Sequence, residues 1–477
     1  MRLDPSVRSL IQPARPVVIL RWVGQLSMVL VGLLLVPALL AWIGGEWALA
    51  KALLVYGLLP AGALSVFGLL PRRPEPLRAN EALAVTALIF IIAAALMTMP
   101  MTTTGLTPLD AWFEAVSGVT TTGLSMLTHP AEQPTALLFA RAWMQWFGGL
   151  GIVVLSLTLA FGRSGDLRRL ADPVGEETML DSSIRLHARR LLWVYLVLTG
   201  AGLALVSLAG MPWPMAPIHV LAAVSTGGFG SFDDSLAGLS RGVQSSLLAV
   251  AAAGALPLPL YYRAWLHGPG QLLWDPELRA LIWAVIVVAL LLWGLGGLMP
   301  ADALLQAATA QTTTGFATID ISAMPADTKL VLILSMVTGA GLGSTGGGIK
   351  LLRVLILIRV VQMTLLRAQL PPHGVAAVRL GGYSLDAPQI DHAMAVALLF
   401  PALILACWLP FLAAGYAPLD ALFEVVSAAA TVGLSTGITS PELAPHLKAL
   451  LTLAMLAGRV EVVALLVLLY PRTWLRR

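Results

Sequence analysis

Apolar stretches of about 20 residues, the length that crosses a hydrocarbon core of roughly 30 Å as helix, recur along the whole chain and constrain its fold more than any other feature. They run from Val17 to Trp42, Leu49 to Leu70, Leu83 to Pro100, Leu138 to Phe161, Leu191 to Ala209, Val243 to Leu260, Leu278 to Leu298, Leu330 to Ile358, Ala393 to Ala413 and Leu447 to Leu469. Helix is the expected state of each, because an open strand in lipid leaves its backbone polar groups unpaired. Composition removes the alternative of buried helices in a large soluble protein. The chain is 58% hydrophobic and 11% charged, where soluble domains carry about 25% charged residues.

The net charge of +4 does not form a nucleic-acid-binding patch, because the basic residues are spread over alternate loops. Arg2, Arg8, Arg15 and Arg21 lie at the N-terminus, and Arg72, Arg73 and Arg78 between the second and third stretches. Arg163, Arg168, Arg169, Arg185, Arg189 and Arg190 fill the next such loop, followed by Arg263 and Arg279, Arg367 and Arg379, and Arg472, Arg476 and Arg477. The intervening loops hold little beyond Lys51, Arg241, Lys329 and Lys448. By the positive-inside rule both termini face the cytoplasm. The first stretch lacks an evident cleavage site and is followed at once by another, so it reads as a retained span. Cys407 is the sole cysteine, which excludes an internal disulfide or a cysteine-cluster metal site.

Between certain spans lie short half-apolar segments that resemble one another. The first runs from Pro108 through Asp110 to Thr120-Thr121-Thr122-Gly123, the third from Pro300 through Asp302 to Thr312-Thr313-Thr314-Gly315, and the fourth from Pro418 through Asp420 to Ala430-Thr431-Val432-Gly433. A weaker second copy runs from Pro217 through His219 to Ser225-Thr226-Gly227-Gly228. The aligned glycines Gly123, Gly228, Gly315 and Gly433 are about 90 to 120 residues apart, one helix, re-entrant segment and helix per copy. Proline and aspartate open a short helix, and the small residues ending in glycine stop it. The chain then returns as irregular backbone, which membranes tolerate only beside a protein-lined or water-filled cavity. The expected fold is therefore an all-α polytopic membrane protein with four pseudo-repeated helix, re-entrant loop, helix units around a central pore. Residues 1–78 form an N-terminal two-helix domain, and the repeats occupy 79–165, 185–265, 276–365 and 388–477.

A dehydrated alkali cation needs oxygens in place of water, and inward-facing carbonyls on four sides supply them without fixed charge. The candidate filter is Thr121-Thr122-Gly123, Thr226-Gly227-Gly228, Thr313-Thr314-Gly315 and Thr431-Val432-Gly433. The transported cation is expected at the backbone carbonyls of Thr121, Thr122, Thr226, Gly227, Thr313, Thr314, Thr431 and Val432. The four segments differ, so the ring is only approximately fourfold, with fewer well-formed ion sites than a symmetric channel. Asp233, Asp234, Asp320 and Asp327 either concentrate cations at the outer mouth or are ordinary solvated loop charges.

The stretch around Leu330 to Ile358 contains Gly339, Gly341, Gly343, Ser344, Thr345, Gly346, Gly347, Gly348 and Lys350, too glycine-rich for a continuous helix. A span broken at mid-membrane puts a loop below the filter, where it acts as a gate; a phosphate loop is excluded because Leu351 follows Lys350. Arg459 falls near the middle of the last span, where a cation needs water or a partner. It is expected either to face the pore as a barrier tuned by Glu461 or backbone carbonyls, or to form an interhelical ion pair. His219 has no second ligand at helical spacing and reads as hydrogen-bonded to nearby backbone.

At these residues the sequence resembles the Trk/Ktr/HKT superfamily of potassium transporters, most closely the membrane subunit of the bacterial Trk potassium uptake system. The carriers are the four filter segments, the loop ending Gly346-Gly347-Gly348-Ile349-Lys350, and Gly458-Arg459-Val460-Glu461. The two spans before the first copy match the Trk branch. The resemblance implies potassium uptake, channel-like or coupled to protons or sodium, by a homodimer with one pore per protomer. It also implies an intramembrane gate and a cytoplasmic ring of nucleotide-binding regulatory subunits of the TrkA type, in a bacterial inner membrane whose lipid is the remaining partner. Serine at the first filter glycine goes with sodium in such families, and Gly123 points to potassium. The second and fourth copies depart from the pattern at Gly227 and Val432. Transported K+ aside, no cofactor is implied, and nothing suggests an enzyme: no His-Glu-x-x-His and no Ser/His/Asp set lies at membrane depth. The alternatives within transport are the potassium-binding subunit of a Kdp-type ATPase, disfavoured by the two leading spans and by Arg459, and a less selective K+/Na+ transporter.

Overall fold

The computed structural model describes residues 13–70, 77–161, 180–369, 378–380 and 383–474. Of the basic series, Arg2, Arg8, Arg72, Arg73, Arg163, Arg168, Arg169, Arg476 and Arg477 lie outside the described residues. Two helices, α1 (Pro16–Ile43) and α2 (Trp47–Leu69), precede four helical units. The first unit is α3 (Ala79–Met101), the short α4 (Pro108–Val119) and α5 (Thr135–Phe161). The second is α6 (Leu180–Leu208), the short α7 (Met215–Val224), and α8 (Arg241–Gly254) with α9 (Leu258–His267). The third is α10 (Pro276–Gly294), the short α11 (Pro300–Gln311), and α12 (Ala326–Thr338) with α13 (Leu351–Arg367). A small antiparallel hairpin, β1 (Arg379–Leu380) and β2 (Tyr383–Ser384), precedes the fourth. That unit is α14 (Ala387–Ala413), the short α15 (Pro418–Ala429), and α16 (Pro445–Arg459) with α17 (Val462–Leu469).

Among the described residues, seven helices are long and apolar enough to cross a membrane. Bulky apolar side chains such as Trp283 and Leu290 on α10, and Leu398 and Leu409 on α14, face outward, as lipid-facing surfaces require. The short helices behave oppositely. Phe113, Val116, Phe423 and Val425 are fully enclosed, so α4 and α15 sit inside a collar of the longer helices.

The glycine-rich break expected in the third unit is present, with α12 ending at Thr338 and α13 starting at Leu351. Two stretches read as continuous spans are not. The stretch from Val243 to Leu260 bends by 84° between α8 and α9, and that from Leu447 to Leu469 by 109° between α16 and α17. In the first, Pro257 and Pro259 each lack an N–H and cannot extend the ladder from α8. In the second, Glu461 adopts a left-handed φ of 65°, which ends any right-handed helix. Only α5, the second helix of the first unit, runs unbroken through this depth. The second short helix also starts earlier than Pro217 suggested, at Met215.

Candidate functional site

Each short helix ends in the same way. In the first copy the N–H of Thr121 donates to Gly118 O (3.0 Å) and that of Thr122 to Ser117 O (2.9 Å); Thr226 and Gly227, Thr313 and Thr314, and Thr431 and Val432 repeat the pattern. This paired closure needs a left-handed residue, normally glycine. Here it is threonine all four times, with φ of 54°, 50°, 56° and 50° at Thr121, Thr226, Thr313 and Thr431. A β-branched residue in that region is strained, and such strain persists only where the surroundings enforce it. Two residues on, Gly123, Gly228, Gly315 and Gly433 are left-handed again, at 93°, 73°, 76° and 93°. Alternating handedness turns successive peptide carbonyls toward one side of the chain.

The four segments close a ring. A Cβ built on Gly123 would strike the Gly227 carbonyl oxygen, one on Gly228 that of Thr314, one on Gly315 that of Val432, and one on Gly433 that of Thr122. Each glycine is thus pressed against the carbonyl immediately before the next copy's glycine, in the order first, second, third, fourth, first. All twelve residues singled out from the sequence meet here. The ring contains no charged side chain.

Behind the ring, nine residues before each glycine, a buried polar side chain ties the short helix to the chain leaving the ring. Glu114 accepts from Ser125 Oγ (3.1 Å) and Met126 N (2.9 Å), and Glu424 from Ser435 Oγ (2.5 Å) and Thr436 N (2.8 Å). Gln306 accepts from Thr318 Oγ1 (3.2 Å), while His219 Nε2 accepts from Ser231 N (3.4 Å) and its Nδ1 faces Met215 O at 3.0 Å. His219 is therefore the backbone-bonded residue expected. Arg141 compensates Glu114 at 2.6 Å, both side chains buried, and stacks on Phe229. Ser117 and Ser427 further accept from the N–H groups of Gly123 and Gly433, each at 3.0 Å.

The loop between α12 and α13 lies against the ring on the side reached by the C-termini of the short helices. The single Thr345 hydroxyl hydrogen is shared between Gly254 O (2.9 Å) and Val224 O (3.1 Å), and the Thr226 hydroxyl, which lies 2.7 Å from Ser225 O, makes a longer contact to Thr345 Oγ1 at 3.3 Å. Gly347 N donates to Thr313 Oγ1 (2.8 Å), and a Cβ on Gly347 would meet the Ala430 carbonyl. From below, Glu277 accepts from Leu342 N (2.6 Å), Lys350 Nζ donates to Gly346 O (2.6 Å), and Leu258 N to Gly343 O (3.1 Å). The hydroxyls of Thr121 and Thr431, equivalent to the two engaged by the loop, are buried without a protein partner among the described residues.

Arg459 is buried and donates to Thr345 O (2.6 Å) and Gly148 O (3.2 Å), joining the loop to α5. Its partners are backbone carbonyls and not Glu461, which lies beyond the bend and accepts from Arg353 (2.5 Å), with His392 at 3.2 Å.

An outer rim of ion pairs, not anticipated from the sequence, joins neighbouring units. Arg241 at the start of α8 pairs with Asp302 of α11, Lys329 of α12 with Asp420 of α15 (2.8 Å), and Lys448 of α16 with Asp110 of α4. Three of the four basic residues that broke the charge alternation are thereby accounted for. At the remaining junction Met215 stands thirteen residues before Gly228, where Asp110, Asp302 and Asp420 stand in the other copies. Leu138, ten residues before Gly148, takes the place that Lys448 holds relative to Gly458. Gln145 of α5 reaches the second return segment there and was also missed, because its partner lies 82 residues away and α5 carries no repeat signature at that point. Of the outer acidic residues, Asp233 is held by His129 and Ala131 N. Asp320 accepts from both the hydroxyl and the N–H of Ser322, which hold its carboxyl below the usual range.

Residues 67–295 and 297–473 match the family model of TrkH, described as a cation transport protein. A Trk system potassium uptake protein TrkH of Vibrio parahaemolyticus is 29% identical over 96% of this chain and 99% of its own. One of Halomonas elongata is 30% identical over 84% of this chain and 87% of its own. The crystal structure of the potassium transporter TrkH from Vibrio parahaemolyticus superposes with a TM-score of 0.84 at 28% identity, covering 97% of this chain and all of that one.

Proposed function

The chain belongs to the TrkH cation transport family, and from that premise we propose that it takes up potassium through the ring of return segments. The observation that carries the proposal is the closure of the ring. Four equivalent carbonyls, of Thr122, Gly227, Thr314 and Val432, follow one another around one axis with left-handed residues on either side of each. With the carbonyls of Thr121, Thr226, Thr313 and Thr431 they offer oxygens in place of a hydration shell. The short helices end at the ring with their C-termini, the negative ends of their dipoles, on the side where the glycine-rich loop lies, which favours a cation there. Relatives named as potassium uptake proteins over nearly the full chain length support potassium as the cargo.

The loop of Gly341, Gly343, Ser344, Thr345, Gly346, Gly347, Gly348 and Lys350 is the gate in this reading, and Arg459 the barrier that latches it. Its hydrogen bonds to the ring hydroxyls of Thr226 and Thr313 support a closed arrangement. Opening would require those bonds and the Arg459 bond to Thr345 O to part together. A homodimer with a TrkA-type nucleotide-binding regulator on the cytoplasmic side, and cytoplasmic termini, complete the proposal. The repeat boundaries 79–165, 185–265, 276–365 and 388–477 belong to it as well.

The test is potassium and sodium flux into liposomes holding the purified protein, with Gly315→Ser beside the wild type. A serine Cβ at 315 meets the Val432 carbonyl, so the wild type should prefer potassium and the variant should lose that preference. Equal flux of both ions in the wild type would favour a less selective transporter. A preference untouched by the substitution would remove the ring from the mechanism.

A further inference from the structure

The second return segment differs from the others at the residue before its glycine. Thr122, Thr314 and Val432 carry side chains there, and Gly227 does not. The space is not empty. A Cβ built on Gly227 overlaps the side-chain amide of Gln145 from the neighbouring unit's α5. Gln145 Nε2 donates to Gly227 O at 2.5 Å, and its Oε1 accepts from Phe229 N at 3.1 Å. The two bonds fix the amide orientation, because a flipped amide would set donor against donor and acceptor against acceptor. Gln145 is fully buried.

The molecule contains its own controls. Gln145 stands three residues before Gly148, which is pressed on the Val119 carbonyl. In the second and fourth units the glycines that press on the ends of their short helices are Gly254, on Val224, and Gly458, on Ala429. Three residues before them stand Ala251 and Met455, neither of which can donate. Among the described residues, the Gly227 carbonyl alone of the four ring carbonyls accepts a protein hydrogen bond.

We propose that Gln145 is a specificity-determining positioning residue, whose amide stands in for the side chain that Gly227 lacks and holds the Gly227 carbonyl in the ring. The inference rests on the reading of the ring as an ion filter. Two consecutive glycines leave the second segment with the most backbone freedom of the four. A carbonyl oxygen has two lone pairs, so one accepts from Gln145 while the other remains for an ion. Discrimination between K+ and Na+ depends on the number and arrangement of coordinating carbonyls. A released Gly227 carbonyl would let that layer close around the smaller ion.

The experiment measures the ratio of K+ to Na+ flux in proteoliposomes for Q145A, Q145M, G227T, the double variant Q145A/G227T, G315S and the wild type. Q145A should lower the ratio about tenfold through increased Na+ passage, the scale of one buried hydrogen bond lost. Q145M, which keeps the volume but not the donor, should do the same and covers the case in which Q145A does not fold. G227T alone overfills the site and should lose flux. The double variant moves the side chain from helix to return segment, as at Ala251 and Thr314, and should restore the ratio to within about twofold of wild type on the same scale. A purely structural role would lower both fluxes together and would not be rescued. A wild-type ratio in Q145A and Q145M, or a double variant no better than G227T, overturns the assignment. If G315S abolishes the preference while both Gln145 variants keep it, only this inference falls. If G315S keeps it too, the filter reading falls and takes this inference with it.

Discussion

The junction between the first and second units is built unlike the other three. Those three are latched at the outer rim by Arg241–Asp302, Lys329–Asp420 and Lys448–Asp110, and beside them the second helices are bent or broken. The first junction lacks the equivalent Lys/Arg–Asp latch among the described residues, and at its exposed loops His129 meets Asp233 at 3.4 Å instead. It is joined deeper, by Gln145 and Arg141 of an unbroken α5 reaching the backbone that flanks Gly228. A charge pair at the rim fixes which helix neighbours which, but stands apart from the ring carbonyls. A hydrogen bond on a ring carbonyl bears directly on the geometry of the ring itself. The difference teaches that pseudo-symmetry here is a symmetry of backbone, with each junction stabilised by its own chemistry.

The contrast can be broken first at its most buried latch. The Lys448 and Asp110 side chains are 6% and 5% exposed, so Lys448→Ala should destabilise the protein by about 3–5 kcal/mol by stranding a buried carboxylate. Thermal unfolding in detergent reads this. Replacing both partners, as K448L/D110M, copies the apolar first junction and should recover most of the loss. No recovery would mean the pair is more than a latch.

Next in size is Arg459→Gln. It weakens the guanidinium's bond to Thr345 O, of the class that contributes about 1.5–3 kcal/mol. Regulator-free potassium flux should rise by about tenfold or more. Unchanged flux would separate Arg459 from gating. Thr226→Val removes one hydroxyl contact to the same loop at 3.3 Å and should raise flux only severalfold, roughly the effect of 1 kcal/mol. The smallest effect belongs to Arg241→Ala. Its side chain is 56% exposed, and a surface pair contributes about 0.2–1 kcal/mol. A loss as large as that of Lys448→Ala would show that the latches act as one network, independent of burial.

Much of this architecture is legible in the sequence because hydropathy and repetition are local signals. The membrane setting, the leading helices, the four return segments and the glycine-rich break all announce themselves within windows of about 20 residues. The bends after Gly254 and Arg459 do not, since Pro257, Pro259 and Glu461 interrupt stretches that are otherwise long and apolar enough to cross. The rim was half visible. In the sequence Arg241, Lys329 and Lys448 stand out as basic residues in the sparsely charged loops, while Asp110, Asp302 and Asp420 read as helix-start signals. That the two sets pair needs the cyclic order of the units, which no single window contains. Gln145 was hidden for the same reason.

The latch between Lys448 and Asp110 also has a history during synthesis. Its partners are 338 residues apart, and at roughly 5–20 residues per second a ribosome needs on the order of half a minute to make that much chain. Throughout that interval the first short helix is present while the helix that completes its surroundings does not yet exist. Thr107, whose hydroxyl donates to Asp110 Oδ2 at 2.7 Å, is the carboxylate's one partner already made. A nascent chain stalled before α16 therefore carries all four return segments, with the Asp110 carboxylate at the rim still without its cation.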